Sequence, residues 1–191
     1  MQSEQLMPIE EALLTRRTVH EFIRCDPPPG LAARLCAAAH SAPCHKLTWP
    51  WRFSVLGPDS RAALIPLAVA EKEGKHGKPL VGPLRDKIAA MWTAPMLVIA
   101  VGQRLADDPQ RQLEDYAAVS CAIQNMQLLA HGLGLGAKWS TGPLTRNPAA
   151  LAQMGIEAPE ERCVGIVFIG VPARIGEVPR PPLDGFLRSR P

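Results

Sequence analysis

Aromatic residues are scarce in this chain, with one Tyr, four Phe and four Trp among 191 residues. That scarcity argues against a single-strand nucleic-acid platform, which stacks bases on exposed rings. Charge gives such a platform no support either. The 21 basic and 18 acidic residues are interspersed without a long run of one sign, and the net charge is only +3. Nucleic acid is not an expected partner.

Long apolar runs are also missing. A spanning helix needs about 20 predominantly apolar residues. Met91–Val101 is short and broken by Pro95, while the uncharged stretch Tyr116–Ala137 carries Gln124, Asn125, Gln127, His131 and three glycines. No membrane association is expected. The opening residues hold three acids before the first arginine and no apolar stretch, so they do not read as an export signal. Cys25, Cys36, Cys44, Cys121 and Cys163 contain no CxxC pair. Reduced thiols and a cytoplasmic location are the expectation. No GxSxG, HExxH or Walker loop occurs, and no carboxylate pair stands out as an acid–base couple.

What is present is an ordinary globular balance, 47% hydrophobic and 20% charged, in a chain long enough to bury a core as one domain. The apolar spacing predicts helices over 9–17, 31–40, 59–73 and 84–92, then a long one over about 110–134 and a short one over 147–154. Strands are expected at 52–56, 95–102 and 163–170, the last two apolar enough to be buried on both faces. Residues 74–83 read as an exposed loop. From about 172 onward the chain is proline-rich and aperiodic, a tail that needs external support such as a partner subunit. Helices and strands alternate without a βαβ rhythm. The expected architecture is therefore α+β, a small mixed central sheet wrapped by helices around a long central helix.

Several short motifs could carry chemistry. Arg16-Arg17-Thr18 offers two guanidiniums and a hydroxyl, which suits a phosphate monoester and equally a water-facing helix end. Ser41 to Lys46, followed by Trp49-Pro50-Trp51, could receive a flat ring with polar edges or could be a loop whose tryptophans fill a core. Cys36, His40, Cys44 and His45 could be a zinc quartet, but the spacing matches no known finger and no metal is assigned. Gly132, Gly134 and Gly136 close a helix rather than opening one, the wrong context for a dinucleotide fingerprint. Lys138 to Pro143 is either a backbone edge that a ligand can approach closely or a strand and turn.

Taken in order, RRTVHEF, AAAHSAPCHKLTWPWRFSVL, YAAVSCAIQNMQLLAHGLGLGAKWSTG and VGIVFIGVP resemble the nitroreductase family, most of all its minimal-length branch. The resemblance implies an intertwined α+β homodimer with one FMN in each of two interface clefts. It also implies NAD(P)H as donor and an electron-poor small molecule, such as a nitroaromatic or quinone, as acceptor, with ping-pong turnover. Carried over by position, Arg16, Arg17 and Thr18 would hold the phosphate and ribityl chain. Ser41 would reach across the interface and His45 would reach the flavin. Trp139, Ser140 and Thr141 would lie along the isoalloxazine ring. No catalytic side chain is implied. Thr18 stands for the usual Ser, His20 for a common Arg or Lys, Ser41 for Arg and Cys44 for Asp. Arg188 and Arg190 could imitate a C-terminal basic pair of larger relatives and are left unassigned. The alternative on the same scaffold is an FMN carrier or sensor whose cleft is blocked, by Trp92 or by the tail.

Overall fold

The computed structural model describes residues 6–190. Its helices are α1 (Ile9–Thr15), α2 (Leu31–His40), α3 (Pro58–His76), α4 (Pro83–Thr93), α5 (Pro109–Gly132) and α6 (Pro148–Gln153). Its strands are β1 (Phe22–Ile23), β2 (Trp51–Val55), β3 (Leu97–Arg104), β4 (Gly136–Ser140) and β5 (Glu161–Pro172). Four of the helices, α3 to α6, begin on proline, whose missing N–H costs nothing at a first turn. Asp108 and Asn147 cap α5 and α6 by accepting from the amides of Gln110 and Ala150.

β5 is the hinge of the sheet. It pairs with β3 along one edge and with β4 along the other, and β1 pairs with its last two residues. β2 lies outside β3. These pairings are all antiparallel, and the parallel component expected of a mixed sheet is confined to a single bridge, Thr18 to Ala137. Side chains alternate across the strands. Leu97, Ile99 and Val101 with Val167 and Ile169 face α2 and α5, whereas Val98, Ala100, Ile166 and Phe168 face α3, α4 and α6. Two buried layers thus cover both faces of β3 and β5, which is why those strands read as unbroken apolar runs.

The differences from the sequence expectations have local causes. α3 runs on to His76 because Gly77 (φ 67) supplies the left-handed stop, so the loop shrinks to residues 77–82. β3 starts at Leu97 rather than at residue 95, because the carbonyls of Pro95 and Met96 accept from the Arg61 guanidinium instead. β5 extends to Pro172, where β1 meets it.

Candidate functional site

Gly136 decides where the N-terminal segment can lie. A Cβ there would stand 2.8 Å from the Cβ of Val19, so only glycine lets the chain pass this close to β4. The Val19 amide then donates to the Ala137 carbonyl at 3.0 Å, fixing Arg16-Arg17-Thr18 beside the start of β4. At the other end of the chain, Phe22 pairs with Pro172 and the Ala173 amide donates to the Glu21 carbonyl. This second pairing brings the segment after β5 alongside the first.

The two segments enclose a cleft of about 460 Å³. Arg16, Arg17, Thr18 and His20 line it from one side, Arg174 and Arg180 from the other, and Glu21 also borders it. Among the described residues, none of these four arginines forms an ion pair. Burial, then the neighbouring charges of Arg180 and Arg17, push the Arg16 guanidinium below its usual range. Arg17 is oriented by donating to the carbonyls of Leu14 and Arg16. His131, at the end of α5, bonds Thr15 Oγ1 at 2.9 Å; burial and then Arg16 and Arg17 hold its pKa down. Positive charge gathered in excess at such a cleft suits a multiply charged anion.

The other residues singled out from sequence are placed elsewhere. Ser41 ends α2, its Oγ donating to the Ala37 carbonyl. His45 sits in a short 3-10 turn and donates through Nδ1 to Glu114 Oε2 at 2.8 Å. Arg111 Nη1 is also 2.8 Å from that oxygen, and the His45 bond is the main reason the Glu114 carboxyl lies below the usual range. Glu114 and His131 are seventeen residues apart on α5, about 25 Å at 1.5 Å per residue. One chain therefore does not bring His45 to the arginine cleft. Trp139 is folded onto β5, where Gly165 leaves room for the indole and Val164 accepts from its Nε1. Ser140 and Thr141 follow at the end of β4, and Ser140 borders a second cavity on the opposite face.

Of the Cys and His residues singled out, His40, Cys44 and His45 each bond a different partner. His40 Nδ1 accepts from Trp51 Nε1, and Cys44 contacts Thr48, whose hydroxyl donates to Asp115 at 2.6 Å. With the Thr48 proton given to Asp115, the Cys44 thiol donates to Thr48 and accepts from the Trp49 amide. Lys46, Leu47 and Trp49 all have φ near +50° (54, 54 and 47) in this loop, a conformation costly for residues with a Cβ. Trp92 is buried against Phe168 and does not line the arginine cleft.

A family model for the nitroreductase family matches residues 13–171. The chain belongs to the nitroreductase family. The provisionally named NAD(P)H nitroreductase YfhC of Bacillus subtilis is 26% identical over 93% of this chain and 91% of its own length. A nitroreductase-like family protein from Bacillus cereus superposes with a TM-score of 0.81, at 26% identity and 96% coverage of both chains. A more distant structure, from Desulfovibrio desulfuricans and solved with FMN, has a TM-score of 0.76 at 21% identity, covering 97% of this chain and 98% of its own. The family match includes Arg16, Arg17 and Thr18 but stops before Arg174 and Arg180. Those two arginines escaped sequence reading because no local pattern marks them, and only the β1–β5 pairing carries them to the cleft.

Proposed function

We propose that the chain is an FMN-dependent NAD(P)H oxidoreductase that reduces electron-poor small molecules such as nitroaromatics or quinones. The observation that carries this reading is the convergence of Arg16, Arg17, Arg174 and Arg180, without carboxylate partners among the described residues, in a nitroreductase-family chain. The donor set fits FMN. A phosphate dianion satisfies the guanidiniums by forked, charge-assisted hydrogen bonds, with Thr18 adding a neutral donor. From Thr18 the bridge to Ala137 leads along β4, whose end at Trp139, Ser140 and Thr141 would follow the isoalloxazine edge. Because the Trp139 indole is turned onto β5, this segment would act there through its backbone.

When bound, FMN supplies the hydride chemistry, accepting from NAD(P)H and delivering to the acceptor. The protein's part is position and electrostatics. Backbone amides at the end of β4 would favour the more negative, reduced form. No side chain is given a proton-transfer role. Donor and acceptor would use one opening in turn, which produces ping-pong kinetics.

A homodimer is part of the proposal. Ser41 and His45 lie away from the arginine cleft of their own chain, so they can reach a flavin only in a second subunit. Apolar side chains on the segments concerned support that arrangement. Leu47 and Trp49 in the loop are exposed, as are Leu113 and Tyr116 on α5 and Phe186 and Leu187 in the tail. The tail from about 172 would then pack on the partner.

The test is the visible spectrum of the purified protein before and after anaerobic NADH or NADPH. Flavin bands that bleach support an oxidoreductase. Bands that persist would favour an FMN carrier or sensor, and a colourless protein that refuses added FMN would overturn the assignment.

A further inference from the structure

On the face of β4 opposite Trp139 lies a second cavity, of about 250 Å³, between α3, α4, β4 and the turn Pro143–Arg146. Its walls include Phe168, Ile166, Leu144 and the indole of Trp92. Lys138 and Lys72 bring positive charge to it, with Lys75 also on its lining. None of the four cleft arginines takes part.

Lys138 is unusual for its setting. The other side chains on this face of the central strands, Phe168 and Ile166, are core residues. Its Nζ is 3.3 Å from Met91 Sδ and 5.8 Å from the Phe168 ring centre, and it forms no ion pair among the described residues. Burial, and then Lys72, lower its pKa. Glu71 also lines the cavity, but its Oε1 accepts from Asn147 Nδ2 at 3.1 Å. Trp92, 1% exposed, has a buried Nε1 with no acceptor among the described residues. A half-buried cation without an ion-pair partner therefore borders this space, and a residue with a buried, unsatisfied donor forms part of its wall. Each is costly to leave unmet.

We propose that this cavity is a binding site for a small aromatic monocarboxylate. The carboxylate is received by Lys138 and Lys72, and the ring fills the apolar end beside Phe168 and Trp92. Compact ammonium groups supply point charges rather than forks, which suits a monoanion better than a phosphate. The limited volume suits one ring. This site does not rest on the flavin reading.

Calorimetric titration of the purified protein, in the form in which it is isolated, tests the proposal with sodium benzoate and with neutral benzamide as probes. Benzoate is expected to bind saturably and benzamide about tenfold more weakly or worse, because only the anion answers the lysines. Lys138→Met, close in volume and suited to apolar neighbours, is expected to weaken benzoate by about tenfold or more. Lys72→Gln, at the exposed edge, gives a smaller loss and serves if the first variant does not fold. Equal affinity for both probes, undiminished binding to both lysine variants, or no saturable binding at millimolar benzoate would each overturn the proposal. So would benzoate displacing bound flavin, since the cavity would then be part of the flavin site. A colourless protein that still binds benzoate through Lys138 would sink the FMN assignment and leave this one standing.

Discussion

The arginine cleft and the loop around residues 44–49 are built on opposite principles. In the cleft, short backbone pairings at Ala137 and Pro172 gather arginines that form no ion pair among the described residues. In the loop, three residues take left-handed backbone angles, yet its polar groups are closed into chains, Trp49 to Cys44 to Thr48 to Asp115 and His45 to Glu114. The first region gathers unpaired arginines and would accept an anion. The second is strained in backbone and needs its own side chains. A receptor and a rigid presenting arm are different objects, and substitutions should tell them apart.

The largest effect is expected in the cleft. Arg16→Ala should weaken FMN retention by about a hundredfold, because partly buried phosphate contacts are lost. The unfolding temperature of the flavin-free protein should barely move. Equilibrium dialysis against FMN reads the first and a melt of the stripped protein the second; a matched fall in both would erase the distinction. Gly136→Ala comes next. The new methyl would meet the Val19 side chain, so Thr18 must shift and both stability and FMN retention should fall together.

Asp115→Ala probes the other side of the comparison. It removes the acceptor of the Thr48 hydroxyl from a site only 4% exposed, and should cost about 2 kcal/mol in urea unfolding. Asp115→Asn keeps an acceptor and should recover part of it. If the loop serves a second subunit's flavin, FMN retention also falls with Asp115→Ala, but only in protein that remains dimeric.

The smallest effect is a pH dependence at His131. Burial and then the charges of Arg16 and Arg17 depress its folded-state pKa below 6.5. The unfolded chain thus binds the proton more readily, so this contribution is complete above about pH 6.5 and drains away as pH falls below it. Melting of the flavin-free protein between pH 7 and 5.5 should show the loss, reduced in His131→Gln. An anion in the cleft would oppose the arginine fields and make the loss smaller.

Much of the fold was legible because its cause is periodic. The apolar runs at β3 and β5 announce strands buried on both faces, and the long uncharged body of α5 announces a helix, one face of which is buried here while Leu113 and Tyr116 stay exposed. Boundaries slipped where a distant group intervened, as at β3, where Arg61 captures the carbonyls of Pro95 and Met96. β1 could not be read from its own residues, since two residues carry no period and the strand exists only through β5. The site followed the same rule. Arg16-Arg17-Thr18 forms a contiguous motif and could be found, whereas Arg174 and Arg180 join it through tertiary pairing alone. Trp139 was visible as a residue, but its direction depends on the space left by Gly165, across a strand pairing.

The meeting of β1 with the end of β5 has a mechanical consequence. The segments around residues 22 and 172 are tied at a two-residue ladder, too short to hold firmly by itself. A phosphate gripped by Arg16 and Arg180 would act as a clasp across that seam, lending binding free energy to a region otherwise prone to fray. Amide hydrogen exchange at residues 19–23 and 171–175 would then slow together when FMN is added, and loss of the flavin would be felt first as a loosening of these two segments.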